Sequence, residues 1–163
     1  MPSYNFDQDT PEKTLKELIA QYDDFLNDYA SSTKAKNLAE KSWHLIDWVF
    51  NHFSTIHNLD LQNRHSIGVF RETLYPLCNS LKIMHDIANS SKHSKVDNPK
   101  GGMQEARLHI GDFHTSDWCK EDFNVSRLEI ILEDGTKLYF EDEIKKVVDF
   151  WKSYFVNQLN ITL

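Results

Sequence analysis

An apolar seam running from Ile67 to Ala88 constrains the fold of this 163-residue chain more than any other feature. Its residues recur at alternating steps of three and four, which places them on one side of a helix. Pro76 interrupts the seam, because proline lacks a backbone donor and disfavours helical backbone at Tyr75. We therefore expect two helices, with Pro76 in the first turn of the second. The residues that we expect to be buried are Ile67, Phe70, Leu74, Leu77, Leu81, Met84 and Ala88.

Two amphipathic helices are predicted before the seam. The first spans about 11–30 and begins at Thr10, whose hydroxyl can cap it, followed by Pro11, whose missing N–H costs nothing at the first position. The second begins after the polar break at 31–33. Its segment 43–50 is so apolar that we expect both faces to be covered. This predicts that the second helix is the centre of a bundle.

An alternation of period two replaces the helical period after the loop at 95–102. Two to four antiparallel strands are predicted within 103–140, and Asp134-Gly135 predicts a type I′ hairpin turn. A last amphipathic helix is predicted at 141–159. The expected fold class is therefore mainly α (α+β): a helical bundle of four to five helices with a small antiparallel β-sheet inserted before the C-terminal helix.

Length and composition favour one globular domain over 1–163, with 1–9 as a poorly ordered tail. Two cysteines, Cys78 and Cys119, are too few for a disulfide framework, so we expect free thiols in a reducing compartment. No apolar run approaches the roughly 20 residues that span a bilayer, which predicts a soluble, cytoplasmic protein without a membrane partner. Three tryptophans are expected to be shielded by apolar neighbours: Trp43, Trp48 and Trp151.

Charge is distributed unevenly along the chain, whose formal net charge is -7. Residues 1–30 carry seven acids and two lysines, whereas 82–100 carries four lysines and two aspartates. The overall acidity argues against a surface that binds nucleic acid everywhere. Five glycines also make a phosphate cradle of backbone N–H groups improbable, and the sequence contains no P-loop and no Gly-rich dinucleotide turn.

The locally basic segment also carries a row of polar groups. His85, Asn89 and His93 recur every four residues, and Asp86 falls on the same face, opposite the seam. A second polar strip, on the second helix, consists of His44, Asp47 and Asn51. Three polar residues are better interpreted as strand-end residues than as ligands: His109, Asp112 and His114.

The segment from Cys78 to His93 resembles a motif of many small bacterial proteins, approximately Cys-x2-Leu-x4-Asp-x-Ala-Asn-x2-Lys-His. More distantly it is similar to the HEPN superfamily, helical-bundle domains of which many are metal-independent ribonucleases in toxin and phage-defence systems. Those enzymes use an Arg, an adjacent polar residue and a His four to six residues later. The resemblance places the histidine at His93 and the polar residue at Asn89 or Asp86. The chain departs from the pattern because His85 stands near the position of the Arg.

Three functions are consistent with these residues. The first is a partner-binding or scaffolding module of HEPN-like type in a bacterial or phage protein, with a homodimer or protein partner docking through the motif helix. The second is a metal-independent ribonuclease with His93 as acid or base, since imidazole titrates near ambient pH. Lys92 or Lys95 would then stabilise the phosphorane charge. The third, a metal site, is disfavoured because His85 and His93 lie about 12 Å apart along a helix axis, and no cofactor is expected. The candidate catalytic residues are His93, His85, Asn89, Asp86 and Lys92.

Overall fold

The computed structural model describes residues 10–55, 65–93, 96–112 and 125–163. Within these ranges the chain forms five helices and a three-stranded antiparallel sheet in the order β1-β2-β3, which precedes the last helix. This confirms the predicted α+β class and the position of the sheet. The elements are α1 (Pro11–Phe25), α2 (Ser32–His52), α3 (Ser66–Leu74), α4 (Ser80–Lys92), β1 (Met103–His109), β2 (Arg127–Leu132), β3 (Lys137–Tyr139) and α5 (Phe140–Asn157). Predictions about the tail 1–9, Lys95, His114 and Cys119 fall outside the described residues.

Hydroxyl caps start the first two helices where the sequence places them. Thr10 Oγ1 accepts from the N–H of Lys13 at 3.3 Å, and Ser31 Oγ accepts from the N–H of Lys34 at 3.3 Å. The first helix ends at Phe25, earlier than predicted, because bonds between residues three apart tighten the chain into the turn that leads to α2. Within the described ranges α2 contacts each of the other four helices, as expected of a central helix.

Pro76 separates two helices, as predicted, but it lies in the turn between α3 and α4 rather than in the first turn of α4. The N–H groups of Leu77 and Cys78 both donate to the carbonyl of Leu74 and close this turn. Because the helix is broken here, the seam loses its phase, and Leu77 is 64% exposed. The prediction that Leu77 belongs to the core is therefore wrong. The seam residues that are buried are Phe70, Leu74, Leu81, Met84 and Ala88.

The β2–β3 turn is not the type I′ turn that Asp134-Gly135 predicts. The N–H of Leu132 donates to the carbonyl of Thr136 at 2.9 Å, which leaves three residues in the loop. Of these three, only Gly135 has a positive φ, 84°. A three-residue hairpin of this kind ends with glycine in the left-handed conformation, so glycine is still required at this position.

The core lies between the helices and the side of the sheet that faces them. Trp43 and Trp151 are buried, as predicted, and the indole N–H of Trp151 donates to the carbonyl of Ser42 at 3.0 Å, which joins α5 to α2. Trp48 is only half-buried, since it lies on an open side of α2. Cys78 is a free thiol, and burial raises its pKa. None of the described helices is long and apolar enough to cross a membrane.

Candidate functional site

Asp86 organises the motif segment, although it does not lie on an exposed face. Its side chain is fully buried. One carboxylate oxygen accepts from the N–H of Lys100 and the other from the N–H of Gly101, both at 2.7 Å, while the N–H of Met103 lies at 3.4 Å. Such charge-assisted bonds to backbone donors satisfy a buried carboxylate. The motif aspartate therefore fastens the loop before β1 to α4.

His85 and Asn89 extend this network along α4. The Nδ1 atom of His85 lies 3.0 Å from Asp86 Oδ1, and its Nε2 atom lies 3.0 Å from Asn89 Nδ2. A carboxylate only accepts and an amide nitrogen only donates, so this arrangement fits a neutral imidazole with its proton on Nδ1. The ring is also edge-on to Trp43, with 4.7 Å between centroids.

His93 lies beyond the end of α4 and not on its polar face. Its backbone is extended, its N–H donates to the carbonyl of Asn89 at 3.1 Å, and its side chain is exposed. Lys92, the last helical residue, is exposed as well. The four polar residues that were expected to share one face therefore have three environments. Asp86 is buried, His85 and Asn89 are half-buried and bonded to each other, and His93 points to solvent.

The polar strip of α2 faces α3 and the end of α4. Asp47 Oδ1 pairs with Arg71 Nη2 at 2.8 Å, and the Arg71 guanidinium lies 4.9 Å from the centroid of the Trp43 ring. Burial lowers the pKa of His44, and the positive charge of Lys92 lowers it further, against the opposing effect of Asp47. Asn51, in contrast, is exposed and donates to the carbonyl of Asp47 within its own helix.

Two lysines lie over a buried tyrosine beside this network. The ammonium groups of Lys82 and Lys100 are 5.3 Å and 5.6 Å from the centroid of the Tyr75 ring. Lys100 also approaches Glu72 at 3.6 Å, whereas no ion pair of Lys82 is found among the described residues. Burial raises the pKa of Tyr75 to about 12, and the charge of Glu72 adds to this effect. Lys100 is exposed and Lys82 is half-buried, so both place positive charge on the α3–α4 side of the molecule.

A groove of about 810 Å³ opens next to these lysines, between the start of α4, α5 and the β2–β3 hairpin. Exposed Leu77 stands at its edge, and Gly101, the neighbour of Lys100, contributes to its wall. Glu143 lies in the groove and is held by Ser80 Oγ and Lys146 Nζ, each at 2.6 Å. Its apolar walls are formed by Cys78, Ile83, Leu132, Leu138 and Phe150.

A metal centre is not formed by the described residues, among which no group of three or more His, Cys, Asp or Glu side chains could hold an ion. His109 is the last residue of β1 and is half-buried, and Asp112 is exposed three residues later. These positions agree with the interpretation of both as strand-end polar residues.

Sequence reasoning missed three contributors to the site: Arg71, Trp43 and Tyr75. Arg71 lies on α3, Trp43 on α2 and Tyr75 in the turn after α3. Trp43 contacts His85, and Arg71 and Tyr75 contact Trp43, so no spacing along the chain predicts that they meet. The burial of Asp86, by contrast, had a signal. Ile83 and Ile87 flank it on a second apolar face of α4, and both are buried.

No family model, no curated protein and no solved structure matches the chain.

Proposed function

We propose that the protein is a partner-binding module of HEPN-like type that binds a protein partner through the side of the molecule built on α4. The observation that carries this proposal is the network around Asp86. Asp86, His85 and Asn89 are engaged with one another and with the backbone of the following loop. The side chains of the motif that could act in catalysis are therefore used to stabilise the side of the molecule built on α4.

The binding surface, which we name the α4 surface, consists of Leu77, Lys82, Lys100 and the mouth of the 810 Å³ groove. An exposed leucine next to an apolar groove is the kind of feature that marks docking sites. The groove itself is lined by Glu143 and Asp149 beside Lys146. Lys82 and Lys100, outside this lining, favour a partner whose apolar side chain is flanked by carboxylates, since complementary charge sets specificity and association rate.

Two substitutions, each carried through one melting assay and one RNA-cleavage assay, test whether the motif is structural. Asn89→Ala should lower the free energy of unfolding by about 1 to 2 kcal/mol, because His85 Nε2 loses its donor in a half-buried position. His93→Ala should change it by less than about 0.5 kcal/mol, since the side chain is exposed. The wild type should cleave no single-stranded RNA. Cleavage that His93→Ala abolishes would contradict the proposal.

The α4 surface is tested by site-specific photocrosslinking in cells. A photoreactive amino acid at Leu77 should capture a discrete protein, and the yield should fall at least severalfold when Lys82→Glu and Lys100→Glu are added. The matched control carries the probe at Val156, which is 47% exposed on α5. Equal capture at both positions, or capture unaffected by the two charge reversals, would show that the α4 surface is not the docking site.

Metal-independent cleavage of RNA is the second candidate, and one observation favours it. Lys92, the last residue of α4 and the neighbour of exposed His93, lies near His44; burial and the charge of Lys92 lower the pKa of His44, which favours the neutral ring that can accept a proton. In this alternative His93 is the acid and Lys92 stabilises the phosphorane. Cleavage should then persist with a chelator present and disappear in His93→Ala without a change in melting temperature.

A further inference from the structure

β1 forms one edge of the sheet in the described part of the chain. In the strand order β1-β2-β3 it pairs with β2 alone among the described residues. Residues 104–108 are all exposed, so both faces of the strand are open for most of its length. Leu108 is 44% exposed, and Ile110, just past the strand, is 77% exposed. An edge strand of this kind is a template for pairing with another strand.

The hydrogen bonds of β2 show which groups of β1 point to the open edge. The N–H of Leu132 donates to Thr136 across the β2–β3 hairpin. Bonding directions alternate along an antiparallel strand, so Ile131 and Glu129 turn their backbone groups toward β1. Their partners there are Glu105 and Arg107. The residues between and beyond these partners, Ala106 and Leu108, therefore direct N–H and C=O outward.

The side chains of this edge are complementary to themselves. If a second copy pairs antiparallel with its two-fold axis at Ala106, the two Ala106 residues exchange hydrogen bonds. Glu105 then lies opposite Arg107 of the second copy, and the reverse pair forms as well. These are the closely spaced positions of an antiparallel ladder, where opposite charges attract. Both side chains are about half exposed, and they meet at 3.6 Å within one chain. Arg107 also pairs through Nε and Nη2 with Glu129 of β2 at 3.0 Å, so its Nη1 atom is the group that would reach Glu105 of the second copy.

We propose that two copies of this chain pair through β1, antiparallel and centred on Ala106, to form one continuous sheet. This interface is distinct from the α4 surface and does not depend on it. Ala106 and Leu108 lie on the side of β1 that faces a cavity of about 270 Å³ beneath the sheet, next to Ala35 and Ile87. Edge pairing of one short strand buries less than the roughly 1,200 to 2,000 Å² of stable interfaces. The dimer should accordingly be weak, with a dissociation constant in the micromolar range.

Sedimentation velocity over a wide concentration range tests the interface with a charge reversal and a backbone block. Glu105→Arg places two arginines opposite each other and should raise the dissociation constant at least tenfold. Ala106→Pro removes an outward N–H without removing a bond to β2, and should do the same. Glu133→Arg, an equal charge change at an exposed turn position, should dimerise like the wild type.

A melting curve for each variant shows whether it is folded. If Ala106→Pro is unfolded, Glu105→Arg alone tests the β1 interface. A wild type that stays monomeric at the highest concentration overturns the proposal. So does a dimer that Glu105→Arg leaves intact, or one that Leu77→Asp abolishes, because the interface would then lie elsewhere.

Discussion

Replacing Asp86 by Ala should be among the most costly single changes in this protein, because one buried carboxylate holds several donors. It accepts from the N–H groups of Lys100 and Gly101 at 2.7 Å and from His85 Nδ1 at 3.0 Å, and the N–H of Met103 is 3.4 Å away. The two backbone bonds at 2.7 Å join α4 to a loop fourteen and fifteen residues further along the chain. Their loss should release that loop and the start of β1.

The expected loss of stability follows from the hydrogen-bond donors that Asp86→Ala leaves without an acceptor. Each buried donor that loses its partner costs about 1 to 3 kcal/mol. Two strong backbone bonds and one imidazole bond are lost, but water can reach part of the half-buried loop. We therefore expect Asp86→Ala to lower the free energy of unfolding by about 3 to 5 kcal/mol. Asp86→Asn should cost about 2 to 3 kcal/mol, since one oxygen still accepts while the amide N–H₂ group faces a backbone donor.

Urea denaturation followed by circular dichroism measures this loss, and native-state hydrogen exchange locates it. In Asp86→Asn the amides of Lys100 and Gly101 should exchange much faster, whereas amides in the middle of α2 should follow only the global change in stability. The control is Glu133→Ala, which removes an exposed carboxylate. A midpoint for Asp86→Ala equal to that of this control, or unchanged exchange at Gly101, would refute the account of the carboxylate as an anchor.

Three more outcomes follow from burial and charge. The NMR titration midpoint of His44 should lie below 6.5 and should rise in Lys92→Met. The folded state disfavours the protonated ring, so the stability that the neutral His44 contributes is present above pH 6.5 and is lost as the pH falls through the pKa of His44 in the folded protein. Leu81→Ala should cost about 2 to 5 kcal/mol in denaturant melts, whereas Leu77→Ala should cost less than about 0.5 kcal/mol, and equal costs would mean that α4 is rotated. The buried thiol of Cys78, with its raised pKa, should react with a thiol reagent at least tenfold more slowly in the native protein than in urea, and equal rates would contradict its burial.

Local sequence signals predicted the elements of the fold because each depends on near neighbours. The caps at Thr10 and Ser31 and the period of the apolar residues are properties of a few consecutive positions. In contrast, the side of the helix on which each seam residue lies after Pro76 depends on more than its near neighbours in sequence. A proline indicates that the helix is interrupted, but the length of the turn depends on how α3 and α4 pack. Residues 75–79 separate the two helices, and Leu77, in this turn, is exposed to solvent.

The site was predicted only in part, for a related reason. Residues four apart are neighbours on a helix, so the spacing of His85 and Asn89 predicts that their side chains lie close together, and the two side chains are hydrogen-bonded. The contact between Arg71 and Trp43 depends on how α3 packs against α2, which cannot be predicted from a single sequence. The helical period predicts that His93 lies on the same face as His85 and Asn89 only if the helix continues through residue 93, but α4 ends at Lys92.

Asp86 and Gly101 are best understood as one structural unit, which explains why an acid occurs on an apolar side of α4. The N–H of Gly101 approaches the carboxylate to 2.7 Å, so the loop backbone lies against the helix. A Cβ at position 101 would stand 2.7 Å from Ile83 Cδ1 and 3.0 Å from Asp86 Oδ2, closer than atoms can pack without a shift. Only glycine lets the loop come near enough for its N–H groups to satisfy the acid, and only an acceptor such as Asp86 compensates those donors once they are buried. Because this unit uses the central carboxylate of the motif for folding, the polar groups of the motif that remain exposed to solvent are those at the end of α4, Lys92 and His93.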